Sequence, residues 1–325
     1  MKKQAVLLVQ MGGPCCIANV EDFLFNLFKD EHIIQLPFFL KPFQKFLAKG
    51  IARKRSPKVS ELYEKIGGRS PILYETQLQT YALAEKLGCE CFFAMRYSYP
   101  FLKDTLPDIL NANLDKLIVI PLYPQYSTAT TGSNFAECRE LFSKSGLDKK
   151  IEIEYIESWE TNEFFIELWV QRIQEQIEEL KARALTDFHI LFSAHGLPEK
   201  YIKNGDPYQK QVTSTVDAVL AKVKGDFTAS LSYQSKVGPI KWLEPSTETE
   251  IQKLAQAGVK NLIVVPISFV GDHIETTYEI NMLYKELAES QGIKNFLMAR
   301  ALKDDPLLIK ALSSLVHHPE HVIMN

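Results

Sequence analysis

Several large classes of protein are set aside by what this chain does not contain. Its five cysteines, Cys15, Cys16, Cys89, Cys91 and Cys138, are odd in number and include no Cys-x-x-Cys pair, so neither a disulfide framework nor a zinc ribbon is indicated and a reducing compartment fits. Cationic charge is not in excess: 37 Lys and Arg stand against 40 Asp and Glu, a formal net charge of −3, and nothing in that balance draws the chain to nucleic acid. No segment reads as a membrane span, because the uncharged stretch from Leu117 to Ala136 is broken by Pro121 and Pro124 and ends in the polar run Ser127 to Asn134. The opening Met1-Lys2-Lys3 and Ala5 to Val9 is cut short by Gln10 and Gly12-Gly13-Pro14, so it reads as a first strand and not as a signal peptide, which predicts a cytoplasmic protein. Neither Gly-x-Gly-x-x-Gly nor a Walker motif is present, so nucleotide binding has no support.

What the chain does have is regular alternation. Strand-like runs fall at 5–10, 91–97, 117–122, 151–156, 188–193, 227–233, 261–269 and 295–299. Helical patterns fill 19–28, 58–66, 75–87, 103–113, 133–144, 161–182, 207–223, 247–257, 274–290 and 306–316. This order predicts an α/β protein with parallel sheets flanked by helices. Its 325 residues exceed what one core usually supports, which predicts two domains.

The halves also resemble each other. Leu117-Ile118-Val119-Ile120-Pro121-Leu122 is echoed by Leu262-Ile263-Val264-Val265-Pro266-Ile267, Met11-Gly12 by His195-Gly196, and Arg96-Tyr97-Ser98 by Ser232-Tyr233-Gln234. Two duplicated Rossmann-like domains follow, 1–145 and 146–302, with a closing helix at about 303–318. The first carries an insertion between residues 14 and 96, where Leu36 to Leu47 forms an aromatic lip broken by Pro37 and Pro42, followed by Arg53-Lys54-Arg55. That lip is either a buried loop or an exposed apolar rim for a flat ligand or a membrane surface.

Two segments deliver chemistry to the carboxyl ends of strands, where open α/β sheets bind their ligands: Ser193-Ala194-His195-Gly196 and Gly271-Asp272-His273-Ile274-Glu275. His195 is open to two roles, proton acceptor and metal ligand, because imidazole titrates near neutrality. Asp272-x-x-Glu275 also fits a capping box, which would explain both acids without catalysis. It does not ask for His273, nor for Glu279, which shares a helix face with Glu275 at the cost of like-charge repulsion. The hydroxyl-rich turn from Ser127 through Thr131 to Ser133 could cradle phosphate or carboxylate at a helix start. Arg96 suits either a carboxylate ligand or an internal salt bridge.

Together these segments resemble the ferrochelatases. The matching stretches are Val9 to Pro14, Tyr63 to Pro71, Arg96-Tyr97, Tyr123 to Ser133, Ser193 to Tyr208, Tyr233 to Pro239 with Trp242, and Asp272 to Glu279. The resemblance implies an enzyme of the lyase type that inserts Fe²⁺ into protoporphyrin IX, the last step of haem biosynthesis, with the porphyrin in a cleft between two similar domains and the closing helix at about 303–318 packing back on the first. It places the active-site histidine at His195 and the acidic helix at Glu275, facing it across the cleft, with proton acceptance and iron coordination divided between the two in either order. Asp272, His273 and Glu279 form an acidic relay beside them, and Met11, Tyr63, Arg96, Trp242, Phe269, Ser127 and Thr131 bind or edge the porphyrin. Residues 36–47 would be the mouth that meets the inner face of the membrane peripherally. Fe²⁺ and the porphyrin are then substrates, and no cofactor is permanently bound.

The sequence departs from that family pattern in places. Thr128 stands where some members carry a cluster cysteine, and the tail Val316 to His321 has none, so no 2Fe-2S cluster is expected. Leu283 interrupts the acidic row that often continues from Glu279. Two readings compete with the main one: a chelatase for coproporphyrin or another tetrapyrrole, and a non-catalytic two-domain binding protein.

Overall fold

Each apolar run of the sequence becomes a strand: β1 (Gln4–Gln10), β2 (Glu90–Met95), β3 (Lys116–Pro121), β4 (Glu152–Ile156), β5 (His189–His195), β6 (Thr228–Gln234), β7 (Asn261–Val265) and β8 (Asn295–Met298), joined by β9 (Val322–Met324). In this computed structural model, which describes residues 2–236, 238–317 and 322–324, the strands form two sheets ordered β2-β1-β3-β4-β9 and β6-β5-β7-β8. Pairing is parallel throughout except for β4 with β9. The same order recurs, with β1 and β5 central, each flanked by the next strand and the one after it. This is the duplication read from Leu117–Leu122 and Leu262–Ile267, and the long crossovers between parallel strands are helical, as such connections require.

The chain divides into two compact units, Met1–Trp159 with Leu312–Asn325, and Glu160–Ala311. The boundary therefore falls after Trp159 and not at 145, because β4 hydrogen-bonds to β3 within the first sheet. The chain rejoins the first unit at Leu312, and β9, which the sequence pattern did not indicate, pairs with β4 there. His318 and His321 lie outside the described residues.

Strands covered on both faces read as continuous apolar runs, and β1 is buried from Ala5 to Gln10. The first core gathers Leu7, Val9, Leu117, Val119, Phe135, Phe142 and Tyr155; the second gathers Leu191, Ile251, Leu262, Val264, Ile280 and Phe296. The largest helical difference is in the insertion, where a helix runs over Gln44–Lys65 despite Pro57, far longer than the 58–66 segment its polar, cation-rich sequence suggests. Pro42 does not break it, because Pro42 sits in a preceding 3₁₀ turn, Phe38–Phe43. Phe38, Phe39, Phe43, Phe46 and Leu47 are exposed, Phe38 by 87%, so of the two readings of the lip the buried loop is excluded. No described helix is long and apolar enough to cross a membrane.

Leu7 has no exposed surface in the first core. Leu7→Ala is expected to destabilise the fold by ~2–5 kcal/mol through lost burial and the cavity left behind, read as a lower urea midpoint. A midpoint unchanged from the parent would contradict this placement of β1.

Candidate active site

In the second unit the carboxyl ends of β5, β6 and β7 converge on one carboxylate cluster. His195 is the last residue of β5, and both sides of its backbone are held: its N–H donates to Ser268 Oγ at 2.9 Å, and its carbonyl accepts from the Tyr208 hydroxyl at 3.0 Å. Gly196 is required next, because a Cβ there would stand 2.4 Å from the Gln234 carbonyl that Gly196 N–H bonds. With its backbone fixed, the His195 ring reaches Glu275, Nδ1 lying 2.8 Å from Oε2.

Glu275 opens a π-helix, Glu275–Tyr284, one of the wide turns that often mark functional sites. Asp272 accepts from the Thr276 hydroxyl at 3.0 Å and pairs with Lys303 at 3.0 Å, beside the helix start. Glu279 does lie with Glu275, and the Gln234 side-chain amide stands 3.4 Å from an oxygen of each. Ser235 donates to the same Glu279 oxygen.

Gln234 is a residue that the sequence reading used only as a strand marker. Its amide orientation is set from behind: Ser193 Oγ donates to its Oε1 at 2.7 Å, Thr247 contacts Ser193 at 2.8 Å, and Ser232 contacts Thr247 at 2.9 Å. With the oxygen so engaged, the NH₂ must face the two carboxylates. The available signal was polar residues where buried strands should be apolar: Ser193, Ser232 and Gln234 are all fully buried or nearly so.

His273 is buried, its ring 4.2 Å from that of Phe269, with Nε2 3.8 Å from Glu275. Among the described residues neither of its ring nitrogens has a hydrogen-bond partner. Phe269 also meets the His195 ring edge-on at 6.3 Å, and Trp242 lies against Gly196.

These surroundings push the two glutamates in opposite directions. Burial acts to raise Glu275, but the His195 charge and hydrogen bond, followed by the nearby His273 ring, carry it well below the usual carboxylate range. Burial and the Glu275 charge together raise Glu279 to about 7, against the Ser235 hydrogen bond and His195. Burial alone would lower His195, and Glu275 and Glu279 reverse that to a net rise. The result is an ionised carboxylate, a neighbour that exchanges its proton near neutrality and an imidazole with raised basicity, a pattern typical of acid–base sites. Because Glu275 is ionised, Nδ1 of His195 carries the hydrogen of their bond and Nε2 presents the lone pair.

One expectation is corrected by this geometry. Glu275 does not face His195 across a cleft. Both belong to the same unit and are bonded to each other, so no ring can lie between them.

The remaining expected site residues, Met11, Tyr63, Arg96, Ser127 and Thr131, belong to the first unit. Arg96 is engaged internally: Nε donates to Ser133 at 2.8 Å, Nη1 to Glu137 at 3.1 Å, and Nη2 pairs with Asp30 at 2.9 Å. Asp30 also accepts from Ser133 and from the Tyr97 hydroxyl. Burial would raise Asp30, but its bonds to His32, Arg96 and Ser133 hold it far below the ordinary value. The salt-bridge reading of Arg96 therefore describes the observed geometry. Ser127 and Thr131 are buried, and the Ser127 hydroxyl caps its own turn by accepting from Ala129 N–H, so the structure brings neither to an exposed surface as a carboxylate cradle. Tyr63 is likewise buried, near the end of the Gln44–Lys65 helix, while Met11 is half-buried just beyond β1.

Comparison with known proteins gives the fold and the family of the chain. The structure overlays that of SirB from Bacillus subtilis with Fe3+ at a TM-score of 0.59 and 12% identity, covering 98% of this chain and 95% of that one, a likeness of fold. A protein of Geotalea uraniireducens (strain Rf4) named ferrochelatase is 44% identical over 319 residues, 97% of this chain and 98% of its own length. One of Aquifex aeolicus (strain VF5) with the same name is 42% identical over 317 residues, 97% of this chain and 98% of its own. The family model described as Ferrochelatase matches residues 3–320, and the chain belongs to the ferrochelatase family.

Proposed function

We propose that this chain inserts Fe²⁺ into protoporphyrin IX to give protohaem, as an enzyme of the lyase class. The observation that carries the reading is the 2.8 Å bond between His195 and Glu275, set in a chain that belongs to the ferrochelatase family. Insertion exchanges the pair of pyrrole N–H protons for one iron, so the site must accept protons and release them to solvent. Nε2 of His195 accepts a pyrrole proton, and Glu275, ionised and bonded through Nδ1, balances the imidazolium that forms. Glu279, held near neutrality, passes protons onward at physiological pH. Before it is protonated, the imidazole with its carboxylate neighbours is a nitrogen and oxygen donor set suited to a borderline ion such as Fe²⁺.

The raised basicity of His195 favours the proton-accepting role over durable metal ligation, because protons and metal compete for the same lone pair. His195→Ala is expected to cut iron insertion by about 10²–10⁴-fold, measured anaerobically by porphyrin absorbance, with porphyrin binding retained. Near-normal turnover with protoporphyrin, or no turnover beyond one equivalent in the parent protein, would contradict the reading. Coproporphyrin supplied in parallel should turn over more slowly.

The pH dependence has a definite sign. His195 must lose its own proton before it can accept another, so the rate rises with pH through its raised value. Glu279 contributes to that rise, and Glu279→Gln should move the rising limb of the pH–rate profile to lower pH. A limb that stays in place, or moves to higher pH, would sink the electrostatic account.

The lip supplies a route for the apolar substrate. Phe38, Phe39, Phe43 and Phe46 are exposed beside Lys41, Lys45 and Lys49, an arrangement suited to lying in an anionic membrane interface without crossing it. Replacing Phe38, Phe39 and Phe46 with Ser should abolish co-sedimentation with anionic vesicles and leave soluble-substrate turnover intact. Equal sedimentation of parent and variant would remove this contact.

A further inference from the structure

The five thiols divide sharply by environment. Cys138 is buried, and Cys89 and Cys91 are half-buried around the start of β2, where burial pushes Cys91 up to about 12. Cys15 and Cys16 alone are exposed. Both of their Sγ atoms stand 3.0 Å from the same acceptor, Oδ1 of Asn19. Burial raises the Cys15 thiol somewhat, and the neighbouring Cys16 adds to that.

The turn that presents this pair is fixed on both sides. Gly13 N–H donates to Ser98 Oγ at 3.0 Å, Ser70 N–H to the Pro14 carbonyl at 2.8 Å, and Asn19 N–H to the Cys16 carbonyl at 3.0 Å. Little backbone entropy is left to lose on bringing the sulfurs together, which is the main cost of chelation by a flexible segment. The pair follows directly on the carboxyl end of β1, the sheet edge where ligands of this architecture are met.

We propose that Cys15 and Cys16 form a binding site for one soft, low-coordinate metal ion of the cuprous class, separate from the His195–Glu275 pair of the second unit. Binding exchanges two S–H bonds for two S–metal bonds, and both protons go to solvent with no change of oxidation state. The Asn19 side-chain oxygen is placed for a weak third contact. Paired thiolates select Cu(I) over Fe²⁺, whereas imidazole and carboxylate suit the harder ion, so the two sites sort metals by softness. The low-coordinate ion is the one that fits, because zinc sites take four donors and this pair offers two sulfurs and one amide oxygen.

The test is an anaerobic titration of the reduced full chain with Cu(I) against a chromogenic Cu(I) chelator, with bound copper counted per chain and sulfur neighbours counted by X-ray absorption. The parent is expected to take up one Cu(I) with two sulfur neighbours. Cys15→Ser and Cys16→Ser should each weaken binding roughly 10²-fold through loss of the second, intramolecular contact. The Cys15→Ser/Cys16→Ser double variant should bind none at that affinity while inserting iron normally when copper is absent. Cys89→Ser/Cys91→Ser should bind like the parent. Copper that persists in the first double variant, copper lost with the second, or no binding by the parent each overturns the assignment. Circular dichroism of every variant separates these outcomes from misfolding.

Discussion

The hydrogen bond between His195 and Glu275 is the interaction on which the site depends, and much of the second unit serves to hold it. Two contacts pin the His195 backbone, a glycine without room for a Cβ follows it, and a π-helix turns the carboxylate toward the ring. Behind the carboxylates, a ladder of buried hydroxyls fixes the Gln234 amide so that it donates to both glutamates. Such a ladder is costly to bury unless every member is satisfied. Its presence explains how two like-charged side chains can share one helix face. One stays ionised against the histidine, and the other is raised until it carries a proton near neutrality.

The duplicated units use equivalent positions differently. At the ends of their central strands, the first unit has Met11-Gly12 where the second has His195-Gly196. At the ends of the neighbouring strands, the register sets Gln234, and not the Ser232 of the sequence echo, where the first unit has Arg96. Arg96 is absorbed in a closed network with Asp30, Glu137 and Ser133, so its charge is matched within its own unit. In the second unit the equivalent edge is left with an imidazole lone pair and a titrating carboxylate. One architecture thus supplies a closed ion-pair network in the first unit and a reactive cluster in the second.

Much of this was legible in the sequence. Strands covered by helices on both faces give unbroken apolar runs, so β1 to β8 could be placed, and the repeated Leu-Ile-Val motif revealed the duplication. His195, Glu275 and Glu279 stood out because ionisable residues after apolar runs are unusual. Three things were not legible. The His195–Glu275 contact is made between segments far apart in the chain, and local spacing carries no information on whether two such groups face or touch each other. The length of the Gln44–Lys65 helix was hidden by its cation-rich sequence and internal proline, and β9 by its brevity and antiparallel pairing. The role of Gln234 was hidden because it depends on which end of the amide faces the glutamates, and that is set by Ser193, a residue of another strand.

The most direct test of the central claim is the acid–base behaviour of His195 itself, followed by imidazole nitrogen NMR across pH in the parent and in Glu275→Gln. If the carboxylate holds the ring as described, the parent should titrate above the ordinary histidine value with Nδ1 protonated in its neutral form. The variant should titrate lower and lose that tautomer preference, because burial, no longer opposed by the carboxylate charge, disfavours the imidazolium. Identical titrations in the two proteins would show that the pair does not act as one unit, and the account of the site would fail.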